Sequence, residues 1–299
     1  MRVSVIIPTY FRKKDLAELL ECLLSQTYRP FEVIIVDDTP NDEIECLCKE
    51  YEAKFNESGI NLIYVRNPRE RSAAVARNVG VEKACGDILL FLDSDMLIFS
   101  DFIEKIINVF KEKSHSLGVQ GYIININVRR DKLNFLRNIF NKIFHTYYRY
   151  PKDSCKLFEY PSILSKLIEC EWLSGANSAY KREVFNYFKF DENLKGYSFM
   201  EDVLFSHTLF KKYPGTLFIT PHAKSIHKLS PKDYETNVDL EKHKRKCRKY
   251  VLRRLFGFKG ILLYHWQNIG LMLLNLIKIT SSLKCFKNDE HSKSLKNMI

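Results

Sequence analysis

The chain has 299 residues, 45% of them hydrophobic and 13% aromatic, which is enough apolar material for a full core and excludes a chain that stays disordered. Its net charge of +11 is concentrated at one end: from Thr236 onward 14 Lys+Arg stand against 4 Asp+Glu, so the first 235 residues are close to neutral. A nucleic-acid-binding face on that part is excluded, and any electrostatic partner belongs to the C-terminal end.

In chain order, Val3 to Ile7 is a short β-branched run stopped by Pro8, and Leu16, Leu19, Leu20, Leu23 and Leu24 then recur at helical spacing before the Tyr28-Arg29-Pro30 break. Phe31 to Val36 predicts a second strand ending in Asp37-Asp38, a helix opens after Thr39-Pro40, and Asn61 to Val65 is a third strand. A helix over Ser72 to Ala84 and a strand over Asp87 to Leu92 continue the alternation. Continuous apolar runs mean strands buried on both faces, so the fold class is α/β, a Rossmann-like, mostly parallel sheet flanked by helices. The second half is less regular: an amphipathic run from Leu133 to Tyr147, a loop-rich stretch through Pro151 and Pro161, then Trp172 to Asn177. The eight cysteines include no CxxC pair and read as reduced thiols, mostly of the core. The opening apolar segment is too short for a signal peptide, so cytoplasmic residence is expected.

In open parallel sheets the ligand crevice lies beyond the carboxyl ends of the strands, and three polar segments fall there: Pro8-Thr9-Tyr10, Asp37-Asp38 and Asp93-Ser94-Asp95. The last offers two carboxylates of the type that holds a divalent cation beside a diphosphate, though the same pair also reads as solvated strand-end aspartates. Pro8, Thr9 and Tyr10 can present backbone groups and a ring to a nucleotide base, and Asp38 can accept a base N–H. Arg66, Arg69, Arg71 and Arg77 lie between the third and fourth strands, where guanidinium groups suit diphosphate oxygens; Arg71 is the first candidate and Arg77 the second. Glu201-Asp202 opens an apolar helical stretch, where Asp202 is either a carboxylate with a tuned pKa or a charge favoured by the helix dipole.

Val3-Ser4-Val5-Ile6-Ile7-Pro8-Thr9-Tyr10, Val36-Asp37-Asp38, Ala76-Arg77-Asn78-Val79-Gly80 and Asp93-Ser94-Asp95, followed by Trp172 to Asn177, Lys181 to Phe185, Glu201-Asp202 and His227, resemble glycosyltransferase family 2 of the GT-A fold. The resemblance covers roughly residues 1–230 and implies an inverting, metal-dependent transfer of a sugar from a nucleotide diphosphate, a UDP-sugar being favoured. The acceptor would be a cell-surface glycan, a lipid-linked glycan or a polysaccharide. It divides residues 1–235 into a nucleotide-binding half, 1–100, and an acceptor half, 101–235. Asp38 and Asp93 would bind the donor with Pro8, Thr9, Tyr10 and Arg71; Asp95 and His227 would hold Mn²⁺ or Mg²⁺; Asp202 would be the general base, with Trp172, Gly175 and Glu201 on the acceptor side. One departure is Phe11, where the family often has Asn. A nucleotidyltransferase would need a basic Gly-rich phosphate loop near the first strand, which is absent, while a catalytically degenerate nucleotide-sugar-binding protein is the remaining alternative.

Residues 236–299 form a helical extension in which a basic run, Lys242 to Arg254, precedes an apolar one, Ile261 to Ile279. Polar residues interrupt the apolar run too often for a span, so the extension reads as an interfacial helix for peripheral contact with the inner face of a membrane. The alternative is packing on the domain or on a second subunit.

Overall fold

The computed structural model describes residues 1–125, 139–146, 148–150, 155–230 and 237–274. The first half alternates β1 (Val3–Thr9), α1 (Lys13–Leu24), β2 (Glu32–Asp37), α2 (Glu43–Glu57), β3 (Asn61–Arg66), α3 (Ala73–Lys83) and β4 (Ile88–Leu92). Every residue of β2 and β4 is buried, as expected of strands covered on both faces. The pairs β1–β2, β2–β3 and β1–β4 are all parallel, in the order β3-β2-β1-β4. The chain therefore winds outward in both directions from β1, and a crevice opens at the carboxyl ends of β1, β2 and β4. Helix α2 begins three residues after Pro40, beyond a turn in which Asp37 accepts the Thr39 N–H at 2.8 Å. Helix α3 is capped by Ser72, and at Gly80 it lies so close to β1 that a Cβ would stand 2.3 Å from Ile6 Cγ2.

The second half extends this sheet with β5 (Met96–Ile98), α4 (Phe102–Glu112), β6 (Gly118–Ile123), β9 (Ile168–Glu169), β10 (Asn177–Lys181), α5 (Glu201–Lys212) and β11 (Leu217–His227). Here the sheet becomes mixed: β10 runs antiparallel between β4 and β6, and β5 and β9 run antiparallel to β11. β5 follows β4 after a three-residue turn and β10 follows β9 through a loop, whereas β6 and β11, each preceded by a helix, pair in parallel. A separate small pair, β7 (Tyr148–Tyr150) and β8 (Glu159–Pro161), lies off the main sheet. One apolar cluster fills the α1, α2 and α4 side of the sheet and another the α3 and α5 side. The GT-A type α/β fold expected from the sequence is the fold observed. Seven cysteines are free thiols, four of them buried; Cys285 lies outside the described residues.

The C-terminal helix α6 (Asn237–Phe256) packs on α5, with Cys247, Val251 and Leu255 closing over Leu194 and Leu204. A further helix, residues 258–274, turns back across residues 139–146: Trp266 donates to the Ile143 carbonyl at 2.9 Å and Gln267 to the His145 carbonyl at 2.5 Å. Part of the amphipathic run from Leu133 and the end of the apolar run, 275–279, lie outside the described residues. Among the described residues no helix is long and apolar enough to cross a membrane.

Candidate functional site

The carboxyl ends of β1, β2 and β4 open into a cleft of about 270 Å³ lined by Pro8, Thr9, Tyr10, Arg12, Asp38, Arg71, Asp93, Asp95, Tyr197 and His227 among others. The donor-side residues expected from the sequence thus converge on one cavity. Asp38 accepts from the Asn67 side chain at 2.6 Å, and burial, outweighing that bond and the nearby Arg71, pushes its carboxyl up to about 6. Its neighbour Asp37 points into the fold, held by Thr39 and by the Tyr64 hydroxyl at 3.0 Å. The Arg71 guanidinium lies 4.5 Å over the Tyr10 ring. Phe11, in the place where Asn was expected, has φ 51°, a left-handed conformation in which Asn is at ease; its N–H donates to Thr39 Oγ1 at 3.0 Å.

Strand register builds the acidic edge of this cleft. Met96 pairs with His227 across β5 and β11, which brings the imidazole Nε2 to 3.2 Å from Asp95 Oδ1. Arg12 reaches Asp95 Oδ2 at 2.5 Å, and the Ser230 N–H donates to the same oxygen at 3.2 Å. Lys228 clamps this end of β11 to α1 through Asp15 at 2.6 Å and Glu18 at 2.8 Å. Burial works against ionisation of Asp95, but His227 and Arg12 outweigh it and hold the carboxyl at about 2. Burial likewise opposes the imidazolium, yet Asp95 and Asp93 win and raise the His227 pKa. One ligand atom each from Asp93, Asp95 and His227 lies within 4.8 Å of the others. Two carboxylates and an imidazole so arranged are a donor set that fits Mn²⁺ or Mg²⁺.

The arginine cluster disperses. Arg66 is tied to Asp42 at 2.8 Å and Arg69 to Glu82 at 2.7 Å, both away from the cleft. Arg77, the second candidate for the diphosphate, is 3% exposed and is bound to Glu201 and, at 2.8 Å, to Asp93, so it is not available to a ligand as expected. A sequence read in one dimension shows the guanidinium groups but not the carboxylates that neutralise them.

Beyond Arg77 a second cavity of about 400 Å³ opens, lined by Arg77, Asp93, Trp172, Gly175, Tyr197, Glu201, Asp202 and Arg248 among others. Asp93 and Tyr197 line both cavities. Asp202 Oδ2 accepts the Gly175 N–H at 2.9 Å and Oδ1 the Val203 N–H at 2.8 Å. Burial raises its pKa despite those two bonds and Arg77. Trp172 is 5% exposed, its indole N–H directed to the Lys156 and Glu159 carbonyls at 3.1 and 3.0 Å. Glu201 lines the cavity with one oxygen engaged by Arg77, and burial drives its carboxyl pKa well up. Glu201 and Asp202 stand on the first turn of α5, entered through Gly196, Ser198 and Met200, all at positive φ. The Ser198 hydroxyl, 2.7 Å from that of Ser72, anchors this strained entry to the start of α3.

Arg12, Tyr197, Ser230 and Arg248 are site residues that sequence reasoning missed. Arg12 carried one signal, a basic residue two positions after Tyr10. Arg248 lies within a basic run that reads as a solvated face.

The family model described as Glycosyl transferase family 2 matches residues 4–188. Glycosyltransferase GlyA of Streptococcus pneumoniae serotype 4 is 25% identical over 64% of this chain and 26% of its own. The minor teichoic acid biosynthesis protein GgaB of Bacillus subtilis is 31% identical over 39% of this chain and 13% of its own. The match thus takes in only about a quarter or less of either relative's length. Among solved structures, glucosyl-3-phosphoglycerate synthase of Mycobacterium tuberculosis, in complex with Mn²⁺, UDP-glucose and phosphoglyceric acid, superposes with a TM-score of 0.53 at 16% identity, covering 85% of this chain and 79% of that one.

Proposed function

The chain belongs to glycosyl transferase family 2, and from that premise we propose that it transfers a sugar from a UDP-sugar to an acceptor hydroxyl with inversion at the anomeric carbon. The observation that carries this reading is that Asp93 lines both cavities: a cleft that brings Asp38, Arg71, Asp95 and His227 together meets a second cavity containing Asp202. The base rests against Asp38 and the diphosphate against Arg71 and Arg12. A divalent cation, Mn²⁺ or Mg²⁺, held by Asp95 and His227 beside Asp93, would neutralise the charge on the departing diphosphate.

Asp202, oriented by the Gly175 and Val203 amides, takes the proton of the acceptor hydroxyl. The oxygen attacks the anomeric carbon from the face opposite the diphosphate, whose bond to that carbon breaks as the new bond forms. The raised proton affinity of Asp202 suits this role, since a carboxyl of ordinary pKa is too weak a base near neutrality. Trp172 and Gly175 shape the acceptor cavity, and Glu201 acts there by holding Arg77. The similarity to GgaB, a teichoic acid biosynthesis protein, supports a cell-surface glycan or polysaccharide, free or lipid-linked, as acceptor. The mycobacterial synthase, solved with UDP-glucose and Mn²⁺, supports the UDP-sugar and the cation.

Residues 1–235 carry these catalytic groups, Arg248, Gln267 and Leu271 complete the acceptor wall, and residues 236–299 attach the enzyme to the inner face of a membrane. On the helix 258–274, Phe258, Leu262, Trp266, Ile269 and Met272 are exposed along one stripe, with Ile139 and Ile143 also exposed nearby and the cations Arg253, Arg254 and Lys259 at its start. A stripe of this kind suits the interface of an anionic bilayer.

The test is a screen of UDP-sugars for turnover with Mn²⁺, with Mg²⁺ and with EDTA, the product anomer being read by NMR. Transfer with inversion, lost in EDTA, is expected; absence of any UDP-sugar binding would overturn the reading. For the membrane contact, Leu262→Ser with Trp266→Ser should reduce flotation with anionic vesicles while leaving UDP binding intact.

A further inference from the structure

The cations of the two cavities are satisfied differently. In the acceptor cavity Arg77 is neutralised by Glu201 and Asp93. Arg248, contributed by α6, has no such partner: Nη2 donates to the neutral Asn268 amide at 2.5 Å, the guanidinium lies 5.5 Å from the Tyr264 ring, and Nε is buried without a hydrogen bond. Glu241, two turns earlier on the same helix, is paired with Lys244 at 2.9 Å, and Arg245 adds like charge. Among the described residues no carboxylate forms an ion pair with Arg248.

A part-buried guanidinium without a counter-ion is unfavourable, and burial lowers its pKa accordingly. Of the other polar residues lining this cavity, Asn141, Thr146 and Gln267 are neutral and engaged with one another or with backbone, Thr146 donating to Asn141 at 2.7 Å and Gln267 to the His145 carbonyl, while Asp93, Glu201 and Asp202 form no ion pair with Arg248. The donor's diphosphate does not answer the charge, because Arg248 lines the second cavity and not the donor cleft.

Resting on the transferase reading above, we propose that Arg248 binds an anionic group of the acceptor, a phosphate or a carboxylate, while the acceptor hydroxyl reaches Asp202 in the same cavity. The acceptor is thus a charged polyol phosphate, phosphoglycan or uronate-containing glycan rather than a neutral sugar. The planar fork of a guanidinium, backed by the Asn268 amide, matches two oxygens of either group.

The test uses the full chain saturated with UDP and Mn²⁺, so that the donor cleft is filled. Glycerol 3-phosphate, glycerate and glycerol are titrated by calorimetry. At least one anion should bind and glycerol should not, and the tighter of the two anions identifies phosphate or carboxylate as the group recognised. Arg248→Gln should weaken that binding about tenfold or more, the effect of losing a charge-assisted hydrogen bond, with UDP affinity unchanged. Asn268→Asp supplies an internal counter-ion: it should raise the melting temperature yet reduce anion binding as strongly, which a purely structural Arg248 would not do. Equal anion binding in both variants, or no anion binding to the UDP-loaded parent, would overturn the proposal. Failure of the parent to bind UDP would instead strike at the transferase reading.

Discussion

Arg77 joins Asp93 at 2.8 Å on one side and Glu201 on the other, so the carboxylate shared by both cavities is fixed by a cation buried between them. Arg77→Met should leave two carboxylates uncompensated and cost about 3–5 kcal/mol of stability, the usual result of breaking a buried pair from one side. Chemical denaturation of the variant measures this. Adding Glu201→Gln should recover a large part of the loss, and a loss that the second substitution leaves untouched would show that Arg77 acts through packing alone.

Asp202→Asn should lower transfer by about 10² to 10⁴, the range of a lost general base, with donor and metal affinity retained. Because burial raises the Asp202 pKa, the transfer rate of the parent should climb as pH rises through a value above the ordinary carboxyl range, and the variant should lose that limb. Steady-state rates across pH check both points, and parental turnover in the variant would place the base elsewhere.

Asp38 gives a prediction with opposite signs for stability and binding. Its folded pKa of about 6 lies above the ordinary carboxyl value, so the protonated form is favoured by folding and stability falls as pH rises through that value. Asp38→Asn should therefore raise the melting temperature at pH 7.5, with the gain shrinking toward pH 4. Donor affinity should fall in the variant, and in the parent it should weaken below about pH 6, where the carboxylate that accepts the base N–H is lost. Scanning calorimetry and UDP titrations at several pH values follow the two effects separately.

Asp95→Ala should abolish cation-dependent UDP binding, since His227 and Asp93 then face the diphosphate without the central carboxylate of their group. Titrating Mn²⁺ against the UDP-loaded protein tests this, and an unchanged Mn²⁺ response would remove Asp95 from the metal site.

Truncation before Asn237 should destabilise the domain as well as weaken its membrane contact. Cys247, Val251 and Leu255 cover Leu194 and Leu204, and each large apolar side chain uncovered forfeits about 1.5–3 kcal/mol. A lower melting temperature, with ANS binding to the newly exposed surface, is the expected outcome; an unchanged melting temperature would show that α6 contributes little to the fold.

The first half of the fold and the donor cleft were legible because local patterns specify them: each apolar run ends in a polar pair, and a parallel sheet collects those ends on one edge. Asp38 and Asp95 were placed on that edge this way, whereas His227 entered only with the family resemblance. What the sequence hid depends on pairing at long range. Nothing near Arg77 announces that Glu201, 124 residues away, will neutralise it, and nothing in Lys242 to Arg254 separates Arg248, which turns inward, from exposed Lys249 and Arg253. Helical periodicity marks the apolar face of α6 but is silent about which cation beside it borders a cavity.

The shared boundary at Asp93 and Tyr197 also divides the two cavities by position along the chain. Most of the donor cleft is drawn from loops after β1, β2 and β4 and from the start of α3, whereas Asn141, Thr146, Trp172, Arg248, Gln267 and Leu271 of the other cavity all come from later segments. Exchange of the chain after β5 would therefore replace the walls of the second cavity and keep most of the first, provided that Tyr197, His227 and Ser230 are retained. Grafting residues 139–274 of a relative that keeps these three onto this first half is the corresponding engineering route, with the Ser72–Ser198 contact as the seam to be kept.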